Sequence, residues 1–174
     1  YTQKLPGRKR AFDIGCGIGR VTKFILSNVF EKVDLLDQSP AQISEAKNFL
    51  KDIECCGDFY TGGMQDHFWN PHLFYDLIWL QWFLMYLTDE DLVKSLKQCA
   101  EMLTKDEKTG ESGLIVIKEN VKDAGIMHDS EDNSVIRSIY HFECIFDEAG
   151  LKVLHSSEMP GWPQDLYAIQ MFIL

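Results

Sequence analysis

Three glycines at alternate positions, Gly15, Gly17 and Gly19, follow the apolar run Ala11-Phe12-Asp13-Ile14 and precede a helical pattern that opens at Arg20. Glycines in such a turn let the backbone bend sharply and approach a ligand with no Cβ in the way. The chemistry this suits is nucleotide binding, although a dinucleotide fingerprint would place its third glycine at position 20, which is Arg20. The next apolar run, Val33-Asp34-Leu35-Leu36, ends at Asp37, about 20 residues beyond the turn, where doubly wound folds place a carboxylate for ribose hydroxyls. Asp34, alternating with apolar neighbours, reads as a solvated strand residue. Further residues able to do chemistry stand later in the chain: Met64 and Gln65 after Gly62-Gly63, Gln81 and Trp82 in the aromatic run Trp79 to Tyr86, Asn120, and the acids Asp129, Glu131 and Asp132. A tight turn that binds nothing, a packed aromatic cluster and a solvated acidic loop are the competing readings of these features.

These residues need a scaffold, and apolar runs alternating with helical periodicity predict an α/β fold with a mostly parallel sheet. Strands are expected near 10–15, 33–37, 55–60, 75–80, 113–118, 151–157 and 166–173, and helices over 20–28, 40–50, 90–103 and 134–149. Pro40 suits a first helical turn, Thr88 an N-cap and Gly150 a helix stop. Residues 104–112 read as a surface loop. In open α/β sheets ligands gather beyond the carboxyl ends of the strands, where most of the residues named above fall.

The composition limits the function classes. The 174 residues, 45% of them apolar, suffice for one domain spanning 1–174. The net charge of −10 argues against direct nucleic-acid binding and favours a basic partner. No apolar stretch is long enough for a membrane span, and none reads as a signal peptide. Five scattered cysteines without a C-x-x-C pair point to reduced thiols in the cytoplasm or nucleus. Neither the adjacent Cys55-Cys56 nor the five histidines have metal-ligand spacing, so no metal is expected. The chain starts at Tyr1 close to its first strand, so part of a natural N-terminus is expected to be missing.

The segment Asp13-Ile14-Gly15-Cys16-Gly17-Ile18-Gly19-Arg20 resembles motif I of the S-adenosylmethionine-dependent methyltransferases. Read with Gln81-Trp82, Ile117-Lys118-Glu119-Asn120, the spaced Asp129, Asp132 and Ser134, and Pro163-Gln164-Asp165-Leu166-Tyr167, the chain from about Ala11 onward resembles the protein α-N-terminal methyltransferases. Those enzymes modify the freed amino terminus of proteins that begin X-Pro-Lys. The resemblance implies a class I, Rossmann-like methyltransferase fold: a doubly wound, mostly parallel seven-stranded sheet with an antiparallel last strand. It also implies S-adenosyl-L-methionine as donor, with S-adenosyl-L-homocysteine as product. Cofactor contacts would come from Gly15, Gly17, Arg20 toward the methionyl carboxylate, Asp37, Gln38, Ser39, Met64, Gln65 and Gln81.

On the acceptor side the resemblance implies that Asn120 holds the amine and that Asp132 accepts its proton, directly or through water. Asp129 would attract the third-position Lys and Trp82 would pack on the second-position Pro. Leu166 and Tyr167 would close the channel, with polar contacts from Asp165 and Ser134. The partners implied are proteins with an exposed X-Pro-Lys terminus, met by a monomer. Two departures stand out: Tyr86 occupies a position where better-known members have His, and the N-terminal helical segment that covers the cofactor in the family is absent. A small-molecule methyltransferase and a non-catalytic subunit of the same fold are the alternatives.

Overall fold

The computed structural model describes residues 7–66, 72–108, 110, 112–163 and 165–174. It divides into two compact units, Tyr1–Trp79 with Glu101–Ile115, and Leu80–Ala100 with Val116–Leu174. In the first unit, strand β1 (Arg10–Ile14) leads through the glycine turn to helix α1 (Arg20–Phe24), then to β2 (Lys32–Asp37), helix α2 (Pro40–Phe49) and β3 (Cys56–Thr61). β1 pairs in parallel with β2 from Arg10↔Lys32 to Ile14↔Leu36, and β2 pairs in parallel with β3. On the other side of β1 lies β4 (Leu77–Gln81). Strands covered on both faces read as continuous apolar runs, and Ala11, Phe12, Ile14, Val33, Leu35 and Leu36 are all buried. Cys16, Leu35, Ile43 and Leu50 form one cluster of this core.

The predicted helix over 20–28 is two pieces. α1 ends at Ile25, whose backbone leaves the helical region at φ −122°, ψ −66°, and a 3-10 turn resumes over Leu26–Asn28. Ser27 Oγ donates to the Lys23 carbonyl and Asn28 Nδ2 to the Phe24 carbonyl, so side chains take acceptors that a longer helix would use. Asp34 corrects a second expectation. It is fully buried rather than solvated, and its carboxylate accepts Arg10 Nε at 2.6 Å and Nη2 at 2.9 Å, the Asp58 amide at 2.9 Å and the Tyr75 hydroxyl at 2.9 Å. Alternation with apolar neighbours placed Asp34 on the second face of β2, and that face is covered as well.

β4 runs into the second unit, as does β5 (Leu114–Lys122); helix α3 (Asp89–Glu101) stands between them in the chain. Thr88 Oγ1 accepts the Asp91 amide, and Asp89, Glu90 and Asp91 sit at the positive end of the α3 dipole. Beyond β5 come β6 (Ile126–Asp129), β7 (Ser134–Ser138), helix α4 (Ile139–Glu148), β8 (His155–Glu158) and β9 (Ala168–Ile173). β9 lies antiparallel to β5 from Val116↔Ile173 to Val121↔Ala168, and β8 pairs antiparallel with β9. The antiparallel last strand of a mostly parallel sheet is thus present. The expected strand over 151–157 forms only from His155.

A hairpin of β6 and β7 is added to the seven expected strands. β7 pairs antiparallel with β6, and in parallel with the end of β5 at Val121↔Arg137 and Lys122↔Ser138. The expected helix over 134–149 is therefore β7 followed by α4. Its true cap is Ser138, whose Oγ accepts the His141 amide at 3.2 Å. α4 closes as a Schellman turn, with the Leu151 amide on the Phe146 carbonyl and the Gly150 amide on that of Asp147. Among the described residues no helix is long and apolar enough to cross a membrane.

The Asp34 cluster generates a stability prediction. Asp34→Ala leaves the Arg10 guanidinium, the Tyr75 hydroxyl and the Asp58 amide without their shared acceptor. The expected loss is about 3–5 kcal/mol, read as a lower urea midpoint, whereas Tyr75→Phe should cost about 1 kcal/mol.

Candidate functional site

The first unit assembles the glycine turn around Asp37. Gly15, Gly17 and Gly19 all have positive φ, at 66°, 54° and 83°. A Cβ on Gly19 would stand 2.5 Å from Leu50 Cδ1, so this glycine serves the packing of the turn on α2. A Cβ on Gly17 would meet only Gln42 Oε1, at 3.9 Å, so that stretch of backbone stays open to a ligand. The Asp37 carboxylate accepts the Gly17 amide at 2.9 Å on one oxygen and the Ser39 amide at 2.9 Å on the other, while its carbonyl accepts the Gly62 amide at 3.0 Å. One residue therefore fastens the turns after β1, β2 and β3. Among the described residues each carboxylate oxygen accepts one hydrogen bond, so each has a lone pair left, which is the capacity a ribose diol requires.

Around this centre, Arg20 is exposed at the first position of α1 and has no ion-pair partner among the described residues. Gln38 is exposed, and Ser39 caps α2 by accepting the Gln42 amide. Met64 is buried in the turn after β3 and Gln65 is half-buried beside it. An open glycine backbone, an acceptor-rich Asp37 and a free cation at Arg20 together fit the diol and carboxylate ends of S-adenosylmethionine. Asp13, the acid of the motif, faces inward instead. It accepts the Thr22 hydroxyl at 2.7 Å and the Thr22 amide at 3.2 Å, and burial pushes it up to about 7. Its work is to lock α1 onto β1, and Thr22 is a partner that the motif alone did not reveal.

The second unit holds Gln81, Trp82, Asn120, Asp129, Asp132, Ser134, Asp165, Leu166 and Tyr167. Gln81, expected on the cofactor side, ends β4 within this unit. Trp82 follows in a left-handed conformation, φ 56°, with its amide on the Lys118 carbonyl and 41% of its surface exposed. Lys118 Nζ stands 5.1 Å from the Trp82 ring centroid, and the ring of Trp162 lies 6.3 Å away. Asn120 is half-buried near the end of β5, opposite Ile169 of β9.

A buried carboxylate next to Asn120 organises the segment after Trp82. Glu119 accepts the amides of Asn120 at 2.9 Å and Leu84 at 3.1 Å, with Met85 as a further backbone donor. Arg137, fully buried on β7, donates to the carbonyls of Leu84 at 3.2 Å and Leu87 at 2.6 Å, and its Nε pairs with Asp89 at 2.8 Å. His141 Nε2 contacts the other Asp89 oxygen at 2.7 Å. The 3-10 turn Leu84–Tyr86 is thus gripped by its amides from β5 and by its carbonyls from β7. Burial outweighs the amide donors and the nearby Arg137, and pushes Glu119 up to about 7.

The hairpin presents the acids. Asp129, at the end of β6, accepts the Glu131 amide at 2.9 Å. Asp132 is exposed near the hairpin tip, where Asn133 adopts φ 59°. Its Oδ1 accepts the Ser134 amide at 2.9 Å and its Oδ2 the Tyr86 hydroxyl at 3.4 Å. Hydrogen bonds from Ser134 and Tyr86 hold Asp132 below the ordinary carboxylate range. Ser134 itself is buried and engaged with Asp132. Tyr167 reaches the hairpin, its hydroxyl 3.5 Å from Met127 Sδ, while Asp165 and Leu166 are exposed and Gln164 lies outside the described residues. Among the described residues no group of His, Cys, Asp and Glu is arranged to hold a metal ion.

Tyr86, Glu119 and Arg137 were not among the candidate residues. The signal for Glu119 was its place between Ile117 and Val121, two residues from each on the core face of β5, where a charge must find partners. Arg137 stands two residues from Val135 along β7, between the buried Ile136 and Ser138, a place the sequence does not disclose when 134–149 is read as a helix.

Comparison with known proteins sets these geometries in context. Residues 2–174 match the family model described as AdoMet dependent proline di-methyltransferase. The chain is 40% identical over 167 residues to Alpha N-terminal protein methyltransferase 1 of Dictyostelium discoideum, covering 94% of this chain and 58% of that protein. It is 36% identical over 170 residues to N-terminal Xaa-Pro-Lys N-methyltransferase 1 of Xenopus tropicalis, covering 97% of this chain and 72% of that protein. The solved structure of a SAM-dependent methyltransferase from Leishmania major superposes with a TM-score of 0.89 at 36% identity, covering 99% of this chain and 66% of that one.

The buried Glu119 predicts a pH signature. With its folded value raised, the native chain binds more protons than the unfolded chain between about pH 4.5 and 7, so its contribution to stability falls as pH rises through that window. Glu119→Gln removes this term. The stability of the variant relative to the parent should therefore improve from pH 5 to pH 8 by roughly 2 kcal/mol, measured by urea denaturation at both values.

Proposed function

The chain belongs to the family of AdoMet-dependent proline di-methyltransferases, and from that premise we propose that it transfers methyl groups from S-adenosylmethionine to the α-amino group of proteins whose exposed terminus reads X-Pro-Lys. The observation that supports this reading most is the acidic, anchored hairpin of the second unit: Asp132 is fixed through both oxygens, and Asn120 sits on a strand whose neighbouring Glu119 holds its amide. The similar Xenopus protein carries the Xaa-Pro-Lys substrate in its name.

S-Adenosylmethionine supplies an electrophilic methyl group on a sulfonium. The chain's residues have to hold that donor and present a neutral amine in line with it. Asp37, the backbone at Gly15 and Gly17, and Arg20 hold the donor, with Gln38, Ser39, Met64, Gln65 and Gln81 bordering it. The Asn120 side-chain oxygen accepts a hydrogen bond from the substrate amine and directs its lone pair. The proton lost by the ammonium passes to the Asp132 carboxylate or through it to water. Asp129 attracts the third-position Lys, Trp82 offers its exposed face to the Pro ring, and Asp165, Leu166, Tyr167 and Ser134 line the peptide path. An overall charge of −10 draws a basic N-terminus toward this surface. The protein acts as a monomer in the cytoplasm or nucleus.

Asn120→Ala and Asp132→Ala should each reduce transfer to a Ser-Pro-Lys peptide by at least about 100-fold while leaving donor affinity within about twofold by calorimetry. Because Asp132 is held below the ordinary carboxylate range, it stays ionised well below neutrality. The acid limb of kcat/KM should then follow the substrate amine, near pH 7.7–8.0 on reference values. A limb near pH 4 would instead assign the limiting ionisation to the carboxylate.

A further inference from the structure

Tyr86 is held in a way that its exposure alone would not suggest. Tyr86 is 52% exposed, yet the turn that carries it is fixed through its backbone. The Leu84 amide goes to Glu119, the Leu84 and Leu87 carbonyls to Arg137, and the Tyr86 amide to the Phe83 carbonyl at 3.0 Å. The ring projects from this rigid base, and its hydroxyl donates to Asp132 Oδ2, 46 residues further along the chain. Asp132 needs such a tether. It stands beside a left-handed Asn133 near a hairpin tip, and among the described residues the other anchors of its carboxylate, Ser134 and the backbone of Asp132 itself, lie on the same hairpin. A carboxylate tied only within its own hairpin would move with it, whereas the hydroxyl of Tyr86 refers it to the turn clamped between β5 and β7.

We propose that Tyr86 is a positioning residue for the methyl-transfer reaction: its hydroxyl fixes the Asp132 carboxylate in the orientation that receives the proton of the substrate amine, without itself touching the reacting atoms. This rests on the reading of Asp132 given above. The ring supplies reach and the hydroxyl supplies the hydrogen bond, so removing the oxygen alone separates the two. The buried pair of Glu119 and Arg137 gives Tyr86 its fixed origin, which explains why two charged side chains are kept in the core beneath a three-residue turn.

The test compares the parent chain with Tyr86→Phe, using methyl transfer to a Ser-Pro-Lys peptide, calorimetric binding of S-adenosylhomocysteine, and the carboxyl 13C titration of Asp132 by NMR. The expected result is a kcat about 5- to 20-fold lower, a product affinity within about twofold of the parent, and an Asp132 titration moved to higher pH by loss of a donor to its ionised form. A kcat within about twofold of the parent overturns the inference, and so does a lowered kcat with an unmoved Asp132 titration, because Tyr86 would then act otherwise. Asp132→Asn, measured in parallel, separates the two levels. If it is as active as the parent, the reading of Asp132 fails and this inference with it; if it is inactive while Tyr86→Phe keeps a kcat within about twofold of the parent, only this inference fails.

Discussion

A strand that ends in a sharp turn strands backbone amides that can no longer join the ladder, and each must find an acceptor. In both units the acceptor is a carboxylate placed at the turn. Asp37 takes the amides of Gly17 and Ser39 on its side chain and that of Gly62 on its carbonyl. Glu119 takes those of Leu84 and Asn120. Remove either, and several loops that carry candidate site residues lose their common anchor. The cost of burying a charge is visible in Glu119, raised to about 7, and Arg137 repays part of it by binding the opposite side of the same turn.

The two devices serve different ends. Asp37 is half-buried, with lone pairs left over, so the residue that ties the turns together can also meet a ligand hydroxyl. Glu119 is closed off, and what it stabilises is the position of others: the backbone of Asn120 and the origin of Tyr86. Asp13 belongs with Glu119 in this respect, since its inward bond to Thr22 makes it a fastening of α1. A motif read as a set of ligand contacts is thus partly a set of braces.

Much of the turn geometry of the first unit, where the donor is proposed to bind, was legible in the sequence because its determinants are local. Alternating glycines, an acid about 20 residues on, and Ser39-Pro40 at a helix start are each decided within a few residues. The second unit, where the acceptor is proposed to bind, was less legible because its determinants are distant. Tyr86 and Asp132 are 46 residues apart, and Arg137 reaches back 50 residues to Leu87. The polar run from Asp129 to Ser134 reads as a loop leading into a helix, and only pairing with β5 and β6 turns Ser134–Ser138 into a strand. Ser134 and Ser138 are both suitable caps, and tertiary pairing chose the second. Asp34 was misjudged for a related reason, since alternation marks two faces of a strand but does not say that one of them meets water.

In the proposed reaction the acceptor is an α-amine. This is tested most directly by incubating the chain with S-adenosylmethionine and a Ser-Pro-Lys peptide, and locating added mass by fragmentation beside an acetyl-blocked control. Additions of one or more methyl groups confined to the N-terminal nitrogen, and none on the blocked peptide, are the expected result. Methylation of the blocked peptide at its lysine, or equal transfer to peptides lacking the Pro-Lys sequence, would contradict it.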